Sequence, residues 1–232
     1  MKRFWTEAEA VGEETGRAIR LDGRPVRTPA RAPLIVPGEA LAQAIVAEWT
    51  AVGEAIDPRL MPMTGFANAT LDRVLPALGD FRGQIAAYAE SDLFCYRAEE
   101  PPELVERQRA QWDPLLDRAR AAYGIDFAVT AGILPVDQPA RTLAALRGAV
   151  EALDPWLLAG VATLTQIGGS LVGTLALLDG TIDAEALFDA CTVDERWQAE
   201  KWGEDEEAAE RLAGRRAEFL GAADYCGLVR AG

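Results

Sequence analysis

The densest group of side chains that could do acid–base chemistry lies in residues 193–208, which read Val-Asp-Glu-Arg-Trp-Gln-Ala-Glu-Lys-Trp-Gly-Glu-Asp-Glu-Glu-Ala. Seven carboxylates stand here against two basic residues. Two carboxylates on either side of a bond can act as acid and base in hydrolysis, and Glu195 and Glu206 are a candidate pair. The segment is therefore compatible with a hydrolase that uses carboxylates and no histidine. A run of charge is more often a solvated helix face, and that interpretation stays open.

Histidine is absent from all 232 residues, which removes most other catalytic centres. A Ser-His-Asp or Cys-His nucleophile system, a His-Glu-x-x-His zinc site and a facial-triad iron site all need it. Lys201 lies among carboxylates, an environment opposite to the one that activates a Schiff-base lysine. No Lys-Ser/Thr follows Gly168-Gly169-Ser170, so these glycines are not a phosphate loop. The sequence predicts no catalytic residue, no metal site and no cofactor, and it favours a binding protein over an enzyme.

Two of the six tryptophans, Trp197 and Trp202, lie within the same acidic segment. At about 100° per residue, Trp197 falls on one side of a helix, while Glu195, Gln198 and Trp202 fall nearly opposite. A straight helix on a core buries one of these stripes, unless it breaks at Gly203. We predict that Trp197 packs inward and that the opposite stripe faces a groove or a partner, because tryptophan is enriched in interface hot spots.

The net charge and the hydropathy pattern limit the classes of partner and the cellular compartment that fit this sequence. The net charge of −14 disfavours nucleic acid, whose phosphates the protein would repel. Residues 155–178 carry no charge, but polar residues and glycines at their centre favour one or two buried helices, with Gly168-Gly169 as a break, over membrane insertion. The three cysteines, Cys95, Cys191 and Cys226, form no disulfide framework. Without a recognisable leader, a cytoplasmic protein is predicted.

The hydropathy period changes along the chain from β to helical. Asp22-Gly23 predicts a hairpin turn between short strands near the amino terminus. A helix with Trp49 as a core anchor follows, and the strongest interpretation of Trp49 is structural. The predicted fold is α+β, with a small antiparallel β-rich domain containing one helix (1–62) and a larger all-helical domain (63–232). Within the larger domain, short extended segments are predicted at 92–97 and 133–134.

Two further expectations concern the helices of the larger domain. Pro114 is expected to kink the helix that opens at Pro101-Pro102, or to start a new helix capped by Asp113. The last helix is predicted from Arg211 to Leu220, with residues 225–232 as a loosely held tail.

An ordered set of short motifs runs over nearly the whole chain and resembles the ATP synthase F(1) assembly-factor family. The motifs are Arg3-Phe4-Trp5, Leu21-Asp22-Gly23-Arg24-Pro25-Val26, Thr28-Pro29, Glu48-Trp49, Met61-Pro62-Met63-Thr64, Trp112-Asp113-Pro114, Gly169-Ser170 and Gln198-x-x-x-Trp202-Gly203. Each motif is weak alone, and the specificity lies in their order. The heavier acidic run at Glu204 to Glu207 departs from the mitochondrial pattern.

The resemblance implies a non-enzymatic chaperone of two parts, β-rich and then helical. It implies binding to the unassembled α subunit of the ATP synthase catalytic head, shielding the apolar surface that later meets the β subunit. The family depends on an acidic residue in its carboxy-terminal helical region, for which Glu195 and Glu200 are the candidates here and Glu195 is preferred. The predicted partner-binding residues are Glu195, Gln198, Glu200, Trp202 and Trp49. A monomer in the bacterial cytoplasm is expected, with eukaryotic relatives in the mitochondrial matrix.

Overall fold

The computed structural model describes residues 2–132, 134–203 and 205–232. These residues form two compact units. The first unit comprises 1–78, 154–160 and 221–232, and the second comprises 79–153 and 161–220. The class is α+β as predicted, with a small antiparallel sheet near the amino terminus and a mostly helical remainder. The predicted domain boundary at residue 62 stays a prediction.

Ten α-helices and six short strands carry the fold of the described residues. The helices are α1 (Glu39–Ala51), α2 (Pro62–Ala69), α3 (Leu78–Ala86), α4 (Pro102–Tyr123), α5 (Ala140–Glu151), α6 (Leu158–Gly168), α7 (Leu171–Leu178), α8 (Ala184–Cys191), α9 (Val193–Trp202) and α10 (Glu206–Arg230). The strands are β1 (Ala8–Glu13), β2 (Gly16–Leu21), β3 (Arg24–Pro25), β4 (Ile35–Val36), β5 (Tyr96–Arg97) and β6 (Thr130–Ala131).

The sheet of the first unit is antiparallel around β2, which pairs with β1, β3 and β4. The predicted turn joins β2 to β3: Asp22 and Gly23 have φ of 46° and 73°, the left-handed values that a two-residue hairpin turn requires. The Asp22 carboxylate also accepts hydrogen bonds from the Thr6 and Glu7 amides, which lower its pKa. Asp22 therefore ties the segment just before β1 to the turn.

Two tryptophans from separate motifs pack together in the first unit. Trp49 of α1 is 8% exposed and meets the Trp5 ring edge-on, with centroids 5.1 Å apart. The Trp5 indole donates to the Trp49 carbonyl oxygen at 3.2 Å. The core-anchor interpretation of Trp49 is therefore confirmed, and its role as a partner contact stays a prediction.

The amino terminus of α2 is capped from another helix. One carboxylate oxygen of Glu48 in α1 accepts from the Met63 amide at 2.6 Å, and the other accepts from the Thr64 amide at 2.8 Å. The Thr64 hydroxyl donates to the same carboxylate at 2.7 Å. Two motifs distant in sequence thus meet in one capping interaction, in which a carboxylate compensates free N–H groups at a helix start.

Glu48→Ala is expected to lower the free energy of unfolding by about 2 kcal/mol, because the Met63 and Thr64 amides lose a charged acceptor. Chemical denaturation checks this value. Glu54→Ala, a change at an exposed position, is the matched control and is expected to stay within about 0.5 kcal/mol of wild type. An equal effect of both substitutions would contradict the capping role.

The second unit is organised on α4, the helix that carries Trp112. This side chain is 1% exposed, stacks on Phe94 at 5.5 Å and lies beneath the Arg97 guanidinium at 5.1 Å. Its indole donates to the Ala190 carbonyl oxygen of α8 at 2.7 Å. Trp112 therefore holds α4, α8 and the segment before β5 in one core.

Three expectations for the larger domain need correction. It is not all-helical, because β5 and β6 form a two-stranded parallel pair. α4 runs unbroken through Pro114, so no new helix starts there; Asp113 instead accepts from Arg97 at 2.6 Å. The extended segment is confirmed at β5. Of the strand predicted at 133–134, Ile133 lies outside the described residues and Leu134 is not in a strand.

The uncharged stretch forms two helices, α6 and α7, as predicted, and Gly169 supplies the break with φ of 68°. Among the described residues, no helix combines the length and apolarity needed to cross a bilayer. The prediction of a loose carboxy-terminal tail is wrong. α10 continues to Arg230, and Tyr225 and Cys226 are buried.

A buried carboxylate fixes the start of α7. Asp92 has no exposed surface and accepts from the Ser170 hydroxyl at 2.8 Å, the Val172 amide at 2.9 Å and the Phe94 amide at 3.1 Å. Every partner donates, so the hydrogen bonds favour the ionised form. Burial acts in the opposite direction and outweighs them, raising the pKa of Asp92 to about 6.

Asp92 is expected to make stability fall as pH rises. Its folded pKa of about 6 exceeds the reference value of 3.8, so the folded protein binds the proton more tightly. This contribution is complete below the unfolded pKa and is lost as pH rises through about 6. Between about pH 4.5 and about pH 7.5, wild type should lose about 2 kcal/mol relative to Asp92→Asn. Denaturation of both proteins across pH tests this, and parallel curves would contradict it.

Candidate functional site

Helix α9 presents its two tryptophans differently, as predicted. Trp197 is 7% exposed and packs inward, whereas Trp202 is 75% exposed. The helix also ends there, because Gly203 has φ of 92°, a value that disfavours residues with a side chain. The two rings nevertheless touch edge-on, with centroids 5.5 Å apart. The buried ring thus supports the exposed one at the end of α9.

Polar contacts hold α9 against α4. Gln108 is 1% exposed; its amide nitrogen donates to Asp194 at 2.8 Å, and its oxygen accepts from the Ala98 amide at 2.8 Å. Arg107 pairs with Glu200 at 2.7 Å, and Glu103 pairs with Lys201 at 2.5 Å. The resulting hydrogen bonds lower the pKa of Glu200 and of Glu103. A buried amide therefore sets the position of α9, and surface ion pairs line its edge.

The structure separates the two candidate acids. Glu195 pairs with Arg215 of α10, whose nitrogen lies 2.8 and 2.9 Å from the two carboxylate oxygens. Glu200 lies at the opposite end of α9 and pairs with α4. Both carboxylates are about half-exposed, so each can exchange its arginine for a basic group of a partner at small cost.

A cleft of about 400 Å³ lies beside Glu200, between α4, α8 and α9. Its apolar lining comes from Ile182, Ala186, Ala190 and Val193, and its charged rim from Arg107, Glu200, Asp189 and Arg196. Arg196 and Asp189 form an ion pair at 2.5 Å. An apolar floor inside a charged rim suits a protein segment with an apolar side chain.

Four of the predicted residues, Glu195, Gln198, Glu200 and Trp202, are exposed on α9. Glu195, Gln198 and Trp202 share one stripe of the helix, whereas Glu200 pairs with Arg107 of α4. Sequence reasoning missed Glu103, Arg107 and Gln108 of α4, which hold that helix in place. No short-range signal could have found them, because Gln108 and Asp194 are 86 residues apart. The docking role of the α9 side chains stays a prediction.

The acidic run after α9 has a partly structural role. Asp205 accepts from the Ala208 amide at 2.9 Å and caps α10, and Glu207 pairs with Arg211 at 2.5 Å. Glu206 is exposed, and Glu204 lies outside the described residues. Within the described ranges, no group of three or more His, Cys, Asp or Glu residues is arranged to hold a metal ion.

The family follows from comparison with known proteins. Residues 2–120 match the family model of the ATP12 chaperone protein. The chain belongs to the ATP12 chaperone family. Members of this family are chaperones of ATP synthase assembly. The matched range contains the sheet, the tryptophan pair and nearly all of α4, and it ends before α9.

Solved structures and a curated relative extend the similarity beyond that range. Atp12 of Paracoccus denitrificans is 41% identical, with a TM-score of 0.95, and the match covers 99% of this chain and 98% of that one. A candidate chaperone of Agrobacterium tumefaciens is 37% identical, with a TM-score of 0.93, covering 97% and 85% of the two chains. Mitochondrial Protein atp12 of Schizosaccharomyces pombe is 23% identical over 226 residues, covering 90% of this chain and 76% of that protein.

Proposed function

We propose that this ATP12-family protein binds the unassembled α subunit of ATP synthase through the exposed surface of α9. The observation that carries the proposal is Trp202, 75% exposed at the end of a helix whose other tryptophan is buried. Tryptophan is enriched among the few residues that supply most of the binding free energy in protein interfaces.

Charge supports the same surface. Glu195 and Glu200 lie before Trp202 on α9, with Gln198 between them, in a chain of net charge −14. A negatively charged protein steers a basic partner surface towards itself, and complementary charge at the rim speeds encounter more than it adds affinity. Trp202 is therefore expected to supply most of the binding free energy, while the acids supply orientation and rate.

The arrangement of the acids favours docking over hydrolysis. A carboxylate-dependent hydrolase needs two acids facing one substrate, with at least one raised pKa. Of the candidate pair, Glu195 pairs with Arg215 at the surface and Glu206 is exposed at the start of α10. The neighbouring Glu200 also pairs with an arginine, which lowers its pKa. Asp92, whose pKa is raised to about 6, is fully buried and hydrogen-bonded within the core.

The proposed compartment is the bacterial cytoplasm. All three cysteines are free, and burial raises the pKa of the Cys95 thiol to about 12. A buried, protonated thiol is inert, which suits a reducing compartment. The Schizosaccharomyces pombe relative is a mitochondrial protein, so the mitochondrial matrix is the proposed place for eukaryotic members.

Co-purification tests whether the protein binds the α subunit rather than the β subunit. Tagged protein is mixed with separately expressed α or β subunit, recovered, and analysed by mass spectrometry and light scattering. A one-to-one complex with α alone is the expected result. Recovery of β in place of α, or of neither, would overturn the proposal. The free protein should run as a monomer in the same measurement.

A further inference from the structure

A second cleft, of about 270 Å³, lies between α3 and α5 in the second unit, and its charge differs from that of the chain as a whole. It is lined by Gly79, Arg82 and Gly83 of α3 and by Arg147 and Glu151 of α5. Two arginines and one carboxylate give a local excess of positive charge in a chain of net charge −14.

The two arginines lack acidic partners. Elsewhere on the helices, Arg107 pairs with Glu200 and Arg118 pairs with Asp179. Among residues 2–132, 134–203 and 205–232, neither Arg82 nor Arg147 has a carboxylate within 4.0 Å. Glu151 follows Arg147 by one helical turn, a spacing at which the two often pair, yet they do not. Neither guanidinium group therefore has its charge balanced by a carboxylate within the described residues.

Arg82 shows this lack of hydrogen-bond acceptors most clearly. One terminal nitrogen donates to the Leu153 carbonyl oxygen at 2.9 Å and so holds the guanidinium beyond the end of α5. Its Nε is fully buried and has no acceptor within the described part of the chain. A buried donor without an acceptor is unfavourable, and a ligand oxygen would relieve that deficit.

The floor of the cleft is bare. Gly79 and Gly83 are one turn apart on α3, and a Cβ added to either would meet no atom within 4 Å. Packing within the protein therefore does not require glycine at these positions, although glycine weakens a helix interior. Absent side chains let a ligand approach the backbone closely.

We propose that this cleft binds a phosphate group between Arg82 and Arg147. A single guanidinium satisfies a planar carboxylate through two parallel hydrogen bonds, whereas a tetrahedral phosphate has enough oxygens for two guanidiniums. Glu151 adds selectivity. Inorganic phosphate keeps at least one P–OH at neutral pH, which can donate to the Glu151 carboxylate; sulfate has none and is repelled.

Calorimetric titration of the full chain with inorganic phosphate, at constant ionic strength, tests the proposal. Saturable one-to-one binding is expected, with sulfate at least about tenfold weaker because it cannot donate to Glu151. Glu151→Gln should reduce the difference in affinity between phosphate and sulfate. Absence of saturable binding of any phosphate compound, or sulfate binding equal to phosphate binding in wild type, would overturn the assignment.

Two variants locate the site. Arg147→Gln should weaken phosphate binding about tenfold or more, whereas Arg141→Gln, an exposed position on the same helix, should not. Gly83→Leu fills the open floor and should abolish binding without unfolding the protein. Wild-type affinity in both Arg147→Gln and Gly83→Leu would overturn the proposal.

Titration with ADP separates the two sources of the phosphate group. The comparison is made at about pH 5.5, where the terminal phosphate of ADP also keeps a P–OH that can donate to Glu151. Tighter binding of ADP than of inorganic phosphate supports a nucleotide phosphate, and the reverse supports free phosphate. In either case, addition of the ligand should shift the ¹⁵N–¹H resonance of the Arg82 Nε. A resonance that stays in place under saturating ligand would contradict the site.

Discussion

Trp112→Ala is expected to lower the free energy of unfolding by about 3–5 kcal/mol, the largest stability effect predicted for this chain. The substitution removes a fully buried aromatic ring, its stacking on Phe94 and its hydrogen bond to the Ala190 carbonyl oxygen. Because the same ring joins α4 to α8, the loss should also loosen the surface on which α9 lies. Urea denaturation followed by far-UV circular dichroism measures the change.

Trp112→Phe is the matched control for the stacking contribution. It keeps an aromatic ring against Phe94 and loses the indole N–H, leaving the Ala190 carbonyl oxygen without that donor. Its expected cost is about 1–2 kcal/mol. A loss below about 1 kcal/mol for Trp112→Ala would show that this ring is not the centre of the second unit.

Trp202→Ala is expected to weaken binding to the ATP synthase α subunit by about thirtyfold or more, equivalent to about 2 kcal/mol. The ring is 75% exposed in the free protein, so its removal should leave the stability of the chaperone within about 0.5 kcal/mol of wild type. Surface plasmon resonance gives the affinity, and chemical denaturation gives the stability.

Leu134→Ala provides the control, because Leu134 is 73% exposed in the same unit. If exposed apolar side chains bind the α subunit non-specifically, the two substitutions should weaken binding equally. If α9 is the docking surface, only Trp202→Ala should weaken it. Glu195→Lys and Glu200→Lys then compare the two candidate acids. The variant with the slower association rate identifies the acid nearer to the partner's basic groups.

The structure explains why a set of weak motifs identified the family. Asp22-Gly23 forms the predicted turn, and Glu48 caps the helix that begins within Met61-Pro62-Met63-Thr64. Ser170 and Trp112 also have buried structural roles. These motif residues maintain the fold, so their order along the chain was informative about architecture. Among the large apolar side chains of the motifs, Phe4 and Trp202 are exposed, at 63% and 75%.

Local patterns predicted elements well and long-range contacts poorly. The hairpin, α1, the break at Gly169 and the opposite exposure of Trp197 and Trp202 all follow from turn chemistry and helical periodicity. Glu48, Asp92 and Gln108 could not be placed, because each binds groups that lie distant in sequence. Nothing in the sequence distinguishes such a carboxylate or amide from a solvated one.

The carboxy terminus illustrates how a helix stop can be misjudged. The sequence predicts that the last helix ends at Leu220, just before Gly221, yet the buried residues Phe219, Ala222, Tyr225 and Cys226 continue one helical face beyond that point. That spacing was visible in the sequence. Periodicity across a glycine is therefore a better guide to helix length than the glycine itself.

Photo-crosslinking from position 202 tests the docking surface most directly. Trp202 is replaced by benzoylphenylalanine, a photoreactive aromatic residue, and the same replacement is made at Leu134 as the control. After irradiation of each variant with the α subunit, the proposal predicts crosslinks to α from position 202 and none from position 134. A complex that forms normally but gives no crosslink from position 202 would contradict the docking role of α9.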